Sequence, residues 1–363
     1  MELKKQNILF FTRTMDLGGT ENVVLQLCEI FKPEVNKIIV CSCGGVNVSK
    51  LNKLGIKHIT IPDIESKSPA VMFNVAKSLN FIVKKENISI IHTHHRMAAF
   101  YVSVLGLYKK CKFFNTSHNT FDNKVSLTHF AYKNAHLIAC GEMVKQNLIN
   151  QFGLPANQIS VIHNAVKPFG QNIMEDILIK ELHNQGKFVI GNIGRLSEQK
   201  GMKYYIESIP HVIKKHPEAM FLIIGSGEDE IKLKQQVEKM EIKDYIYFLG
   251  FRSDIQNIMS QIDLIVLSSL WEGLPLTPIE AFSVEKTVIA TSVDGTPEIV
   301  KDNENGLLVS PQNALQIAEK INYIIEHPKE KRCLEKEALK TFNKEFSFEQ
   351  FSKHYIENYQ KVN

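Results

Sequence analysis

The sequence predicts an α/β protein made of two doubly wound parallel-sheet domains in tandem. Three observations carry that prediction. Short, wholly apolar runs recur through both halves, amphipathic helical patterns separate them, and the alternation pauses once, over 167–187, before restarting. Runs that are apolar throughout suit strands buried on both faces, and a helix between successive runs supplies the crossover that parallel strands need. At 363 residues the chain is long for one core, so two domains are the natural expectation.

Taken in order, Asn7–Thr12 reads as the first buried strand, Asp16–Glu21 as the loop after it, and 22–31 as an amphipathic helix with apolar residues at 23, 24, 27, 30 and 31. Further strands are expected at 37–43, 57–61, 88–93, 112–117, 136–140 and 159–163, with helices plainest at 70–85, 97–108 and 143–152. Pro168 and Gly170 mark the pause, which places one domain at 1–167 and the other at 168–345. The second alternation has strands at 188–193, 220–225, 245–249, 263–269 and 287–291, and helices at 202–215 and 229–240. A charged helical tail, 314–363, is interrupted at Pro328 and near 346–348. Two such halves would leave a cleft between the carboxyl edges of their sheets.

Composition excludes several classes. Hydrophobic residues at 44% and charged residues at 23% are ordinary for a globular chain. A net charge of +4 without a concentrated basic stripe argues against nucleic acid, while suiting an anionic ligand or an anionic membrane surface. No apolar run reaches spanning length, and Met1–Asn7 is charged and unlike a signal peptide, so a cytoplasmic location is expected. Six scattered cysteines form no zinc-like set and read as buried free thiols.

The most informative stretch is Trp271–Glu280, where an apolar strand gives out and a helix begins. Glu272 falls on the loop and Glu280 early in the helix. Ligands of open parallel sheets bind at that edge, and exposed amides at a helix start favour an anion. Carboxylates beside an anion are better suited to accepting hydrogen bonds from hydroxyls. A phosphate together with several hydroxyls describes a nucleotide sugar. Gly194–Gly201, after the first strand of the second half, adds Arg195 and Lys200, a pair able to neutralise a diphosphate; as isolated surface cations they would mean little, but their place at a strand end favours function. Gly18 and Gly19 permit positive φ and close backbone approach to a phosphate, or simply relieve crowding. His92, His94 and His95 could in principle hold a metal, but no carboxylate or cysteine stands beside them in the sequence, and a hydrogen-bonded structural cluster is the preferred reading. His118 also follows a strand, and its role is open on this evidence. No Asp-x-Asp pair follows a strand, so neither metal nor cofactor is implied.

Together these residues resemble glycosyltransferase family 4, retaining enzymes of the GT-B fold with two Rossmann-like domains. The resemblance rests on Gly194-Arg195 to Lys200-Gly201, Gly225–Glu228, Glu272 to Ala281, and Asp294–Glu298 before Asn305–Val309. It implies that Glu280 binds the donor ribose, that Glu272 contacts the donor sugar, and that Arg195 and Lys200 hold the diphosphate. It further implies that Gly273 and the amides of Leu274, Leu276 and Thr277 position the donor, with Gly18 and Gly19 packing against it. His118 would assist at the transferred sugar and Phe251 would contact the base. A final helix, 346–363, would return to the first domain. One departure is Pro275, where many members have glycine; a proline has no amide to offer there.

The resemblance therefore implies a transferase moving a hexosyl or N-acetylhexosaminyl group from a nucleotide sugar, UDP-linked by preference, to a saccharide or lipid-linked acceptor, as in cell-surface polysaccharide synthesis. Two rivals are a nucleotide-sugar epimerase on the same fold and a non-catalytic nucleotide-binding scaffold; intact Glu272, Glu280, Arg195, Lys200 and His118 oppose the second. The acceptor side carries little signature. An apolar helix from Met97 to Leu107, followed by Lys109, Lys110 and Lys112, offers contact with the inner face of a membrane, although packing against the sheet is the favoured reading.

Overall fold

The computed structural model describes residues 2–170 and 172–362, so Met1, Gln171 and Asn363, within the ranges above, lie outside the described residues. The chain forms two compact units, Met1–Asn164 with Phe351–Asn363, and Ala165–Gln350.

In the first unit the alternation runs β1 (Asn7–Phe11), α1 (Gly19–Phe31), β2 (Lys37–Ser42), α2 (Val48–Lys53), β3 (Lys57–Thr60), α3 (Pro69–Lys85) and β4 (Ile90–Thr93). It continues with α4 (Arg96–Val104), β5 (Lys112–Ser117), α5 (Val125–Tyr132), β6 (His136–Ala139), α6 (Glu142–Asn150) and β7 (Ile159–Val161). The strands lie in the order β3-β2-β1-β4-β5-β6-β7, all pairs parallel. Ile8, Leu9, Phe10 and Phe11 of β1 are all fully buried, as a central strand covered on both faces requires. The expected helix over 97–108 stops at Val104, because Gly106 adopts φ +62° and turns the chain toward β5.

The second unit repeats the plan with α7 (Ile177–Asn184), β8 (Phe188–Ile193), α8 (Met202–Ile213), β9 (Ala219–Ile224), α9 (Glu230–Lys239), β10 (Ile246–Gly250) and α10 (Ile255–Gln261). Then follow β11 (Leu264–Leu267), α11 (Leu276–Ser283), β12 (Val288–Thr291), α12 (Thr296–Ile299), β13 (Leu307–Val309), α13 (Ala314–Glu326) and α14 (Pro328–Thr341). Its parallel sheet has the order β10-β9-β8-β11-β12-β13. Both sheets therefore reverse their winding, between β1 and β4 in the first and between β8 and β11 in the second. Such switch points are where open α/β sheets bind ligands.

A π-helical turn, Phe342–Phe346, ends α14, and α15 (Phe348–Lys361) then belongs, from Phe351 onward, to the first unit. Phe351, Tyr355 and Tyr359 recur every four residues and are buried. Tyr359 stacks on Phe114 at 4.2 Å and meets Phe31 at 4.4 Å, while its hydroxyl lies 2.5 Å from His92 Nδ1. Tyr355 Oη is 3.1 Å from Thr116 Oγ1, and Asn358 Nδ2 donates to Ser160 Oγ at 2.8 Å. Removing the Tyr359 ring should lose about 3–5 kcal/mol of stability through cavity formation. Tyr359→Phe, which keeps the ring, should lose only the hydrogen bond, about 1 kcal/mol. Denaturant unfolding of Tyr359→Ala and Tyr359→Phe separates the two contributions.

Candidate functional site

The loops that leave β8 and β11 meet at the second sheet's switch point through backbone. Gly201 adopts φ +55°, and a Cβ there would sit 2.1 Å from Ser268 O, so only glycine fits. Leu270 N donates to Gln199 O at 2.7 Å, Gln199 Nε2 to Trp271 O at 3.0 Å, and Ser268 Oγ to Lys200 O at 3.0 Å. Asn192 Nδ2 in turn donates to Ser268 Oγ at 2.9 Å.

This frame fixes Lys200 against Glu272, Nζ to Oε1 at 2.5 Å, with side chains only 21% and 7% exposed. Ser269 Oγ donates to the same Oε1 at 2.6 Å, and Asp294 Oδ2 accepts the Glu272 backbone N–H at 2.7 Å. Asp294 is held at φ +41° to do so, and Gly295 N donates to Gly273 O at 3.1 Å. Glu272 Oε2 has no hydrogen-bond partner among the described residues, which leaves it able to accept from a hydroxyl.

Glu280, half-buried on α11, has no partner for its carboxyl group among the described residues. Burial raises its pKa above the ordinary carboxyl value, and the nearby Lys200 charge opposes the rise. Lys200, Glu272 and Glu280 are thus brought together. The start of α11 lies beside them, and Leu276 and Thr277 offer amides that have no acceptor within the helix; Pro275 caps it and offers none.

Two expected residues stand differently. Arg195 lies on the Lys200 loop, but its guanidinium is 72% exposed and paired with Glu228, Nη2 to Oε2 at 3.1 Å. Phe251 follows β10, two strands from the switch point, with 68% of its surface exposed. The adjacent Arg252 is clamped between Asp176 (2.9 Å) and Asp254 (2.8 Å), and its hydrogen bonds hold the Asp254 pKa down to about 2.

In the first unit Gly18 and Gly19 do not use the positive φ that glycine permits. Gly18 is extended at φ −179°, Gly19 opens α1, and neither takes positive φ. The left-handed turn is made instead by Gly45, after β2, at φ +145°, where a Cβ would lie 2.3 Å from Met15 C. The Met15–Asp16 loop rests on that glycine. Gly19 keeps open space around its Cα, while the Glu21 carboxylate fills the position beside Gly18.

The histidines at the edge of β4 and β5 form a stack, with ring centroids 4.3 Å apart for His92 and His94 and 5.5 Å for His94 and His118. His92 spends both ring nitrogens on Tyr359 and Thr116 (2.8 Å), which makes it a structural link rather than a ligand. His95 Nδ1 accepts from Met97 N at 3.2 Å and caps α4. Among the described residues no group of three or more His, Cys, Asp or Glu is arranged to hold a metal. His94 Nδ1 lies 3.2 Å from His118 Nε2, and His94 Nε2 is buried without a partner. A bare acceptor is tolerated in the interior better than an orphan N–H. Of the two facing nitrogens one donates and the other accepts, so the tautomers of His94 and His118 are coupled. Burial pushes the His118 pKa down to about 4, so the ring is neutral at pH 7.

Sequence reasoning named the carboxylates and cations and read His94 as part of a structural cluster, but assigned nothing to Asp294, Ser269 or Asn192. Asp294 lay within a quoted motif; the others are polar residues at strand ends whose partners are remote in sequence.

The fold and this site define a glycosyltransferase. Residues 17–168 match the family model described as Glycosyltransferase Family 4, and 174–341 match Glycosyl transferases group 1, so the two matches cover most of the chain. The chain belongs to glycosyltransferase family 4, with the GT-B fold. It is 29% identical, over 81% of both chains, to an Escherichia coli protein named UDP-Gal:alpha-D-GlcNAc-diphosphoundecaprenol alpha-1,3-galactosyltransferase. In structure it is similar to a glycosyltransferase from Rickettsia africae, with TM-score 0.87, 24% identity and coverage of 99% and 98% of the two chains. HepE of Anabaena, solved in complex with UDP, gives TM-score 0.85 at 21% identity, covering 98% of this chain and 100% of that one.

Lys200→Ala strands a shielded carboxylate and should destabilise the chain by about 3 kcal/mol, whereas Lys200→Ala with Glu272→Gln should recover much of the loss. Urea unfolding of both variants measures it. For Glu280, a raised pKa means that the folded chain holds its proton longer than the unfolded chain does. Stability is accordingly lost as pH rises from the ordinary carboxyl value through the raised one. Glu280→Gln lacks that loss. Its melting temperature relative to the parent chain should be higher at pH 7 than at pH 4, and a pH-independent difference would contradict the assignment.

Proposed function

We propose that the chain is a retaining glycosyltransferase that takes a hexosyl or N-acetylhexosaminyl group from a UDP-sugar. It passes that group to a hydroxyl of a saccharide or lipid-linked saccharide, in cell-surface polysaccharide synthesis on the cytoplasmic side of the membrane. The observation that carries this reading is the arrangement at the second sheet's switch point: Lys200 between two carboxylates with oxygens free for hydroxyls, beside the open amides of α11. The UDP preference is supported by the UDP bound to HepE and by the UDP-Gal in the name of the E. coli relative. That name also supports a diphosphoundecaprenol-linked acceptor.

In this reading Glu280 accepts from the ribose hydroxyls and Glu272, through Oε2, from the sugar. Arg195, Lys200 and the amides of Leu276 and Thr277 hold the diphosphate. As the bond from the anomeric carbon to the diphosphate breaks, negative charge grows on the leaving oxygen, and prepositioned cations and amides stabilise it without a metal or cofactor. The acceptor oxygen takes the diphosphate's place on the same face of the sugar, and the proton its hydroxyl gives up leaves with the departing diphosphate. His118, neutral, acts as a hydrogen-bonding group for the transferred sugar rather than as a cation.

Calorimetric titration with UDP, GDP and ADP, with and without magnesium, tests the donor: UDP should bind best and without magnesium, and no binding by any of the three would overturn the reading. Arg195→Ala should lower transfer about a hundredfold, as removal of one charge-stabilising donor does. Its stability should stay within about 1 kcal/mol, since the pair with Glu228 is solvent-exposed. The assay is UDP release in the presence of acceptor, run beside a melting curve.

A further inference from the structure

Successive side chains of an extended chain point to opposite faces, so His92-Thr93-His94 sets two imidazoles on one face at the end of β4. The fold uses the first completely, since His92 gives both ring nitrogens to Tyr359 and Thr116. The second is different. His94 is 4% exposed, and its backbone N–H donates to Phe11 O at 3.0 Å. Two of the rings against it cannot serve its nitrogens: Phe10, at 5.9 Å, has no polar atom, and His92, at 4.3 Å, has no nitrogen to spare. The His94 ring has a single hydrogen-bond partner among the described residues, His118 Nε2, 3.2 Å from its Nδ1, and its Nε2 has none. An apolar ring would fill this place without leaving a buried nitrogen unpaired, so packing alone does not account for a histidine here.

Both rings are neutral, because burial holds the His94 pKa well below the ordinary histidine value and brings that of His118 down to about 4. A neutral imidazole has one N–H and one bare nitrogen, which leaves two arrangements. In the first, His118 donates from Nε2, and the His94 proton sits on its own Nε2 as a buried N–H with no acceptor. In the second, His94 donates from Nδ1, and the atom left over is a bare nitrogen. The interior tolerates the second better. It also fixes the proton of His118 on Nδ1, an atom with no hydrogen-bond partner among the described residues.

We propose that His94 is a positioning residue that sets His118 as an Nδ1–H donor toward the transferred sugar, an inference that rests on the transferase reading for what His118 meets. His118 then gives a hydrogen bond to a sugar oxygen. With its proton already on Nδ1 it cannot take one from the acceptor hydroxyl through that atom, so it orients the sugar and does not serve as the base. His94 itself does not touch the sugar. Its bare Nε2 is the consequence of holding its neighbour in one tautomer.

The first test needs no ligand. Long-range nitrogen–proton correlation spectra of the full chain, isotope-labelled at histidine, distinguish Nδ1–H from Nε2–H tautomers, and the His118 signal is identified by its loss in His118→Asn. His118 should be Nδ1–H in the parent chain and should lose that preference in His94→Phe; an Nε2–H signal in the parent overturns the proposal. Two substitutions then separate positioning from packing. His94→Phe keeps a ring between Phe10 and His92 but has no donor, whereas His94→Asn leaves a gap but carries an amide nitrogen as many bonds from Cα as Nδ1. Turnover is read as UDP release to water from UDP-galactose or UDP-N-acetylglucosamine, whichever the parent hydrolyses faster. It should fall about tenfold in His94→Phe, the factor one hydrogen bond represents, and be largely retained in His94→Asn. Calorimetry should give both variants the parent's affinity for UDP. Full turnover in His94→Phe with loss in His94→Asn is the pattern of a packing residue and overturns the proposal, as does turnover equal to the parent's in both. A parent chain that does not bind UDP strikes the transferase reading alone, because the spectrum is taken without nucleotide and decides the tautomer independently.

Discussion

Lys200 and Glu272 come from loops after different strands, and their ion pair closes the point where the second sheet reverses its winding. Everything else at that edge is arranged so that the pair can exist. Gly201 lets the β8 loop lie against Ser268, Ser269 adds a hydroxyl to the shared carboxylate oxygen, and Asp294 adopts a left-handed backbone to hold the Glu272 amide. A shielded ion pair gains little unless its remaining groups are also hydrogen-bonded. Here they are, on one oxygen only, and the uneven sharing is what leaves the other oxygen available.

The first unit is organised by a different constraint, the burial of tyrosines from the far end of the chain. α15 inserts Tyr355 and Tyr359 among Phe31, Phe114 and His92, and their hydroxyls need polar partners once they are away from water. His92 and Thr116 provide them. Spending His92 on this seam leaves His94 as the ring that faces His118, so the tail helix influences the histidine edge through one intermediate residue.

Most strands and the longer helices were legible because parallel strands buried on both faces write unbroken apolar runs, as Ile8–Phe11 and Met220–Ile224 do, but their order in each sheet was not. Short elements were not legible: α2, α5, α10, α12 and β13 are too brief to show a period. The carboxylates and cations were visible through their places at strand ends. Their pairing was not, since Lys200 and Glu272 are 72 residues apart and nothing local encodes a contact at that range. At Gly18–Gly19 the sequence could say only what is permitted: a Gly-Gly pair allows positive φ without demanding it, and in the first unit Gly45 takes it where a Cβ would meet Met15 backbone. Amphipathicity identified α3 and α4 as helices but could not say that α5 would cover one of them.

In the proposed reading an arriving diphosphate competes with Glu228 for Arg195 and with Glu272 for Lys200, and the two competitions differ. The Arg195 pair is exposed and worth about 0–1 kcal/mol, so the guanidinium can leave it readily and offer its planar fork to two phosphate oxygens. Lys200 cannot leave in the same way, because a shielded Glu272 without its partner costs several kcal/mol. An ammonium has three donors, however, and need not choose. Lys200 can keep Glu272 and still reach a phosphate, which puts a positive charge between the diphosphate and both carboxylates that would otherwise repel it. The lysine then marks the border between the part of the site that takes phosphate and the part that takes hydroxyls, and that border is fixed before any ligand arrives by the backbone contact at Gly201.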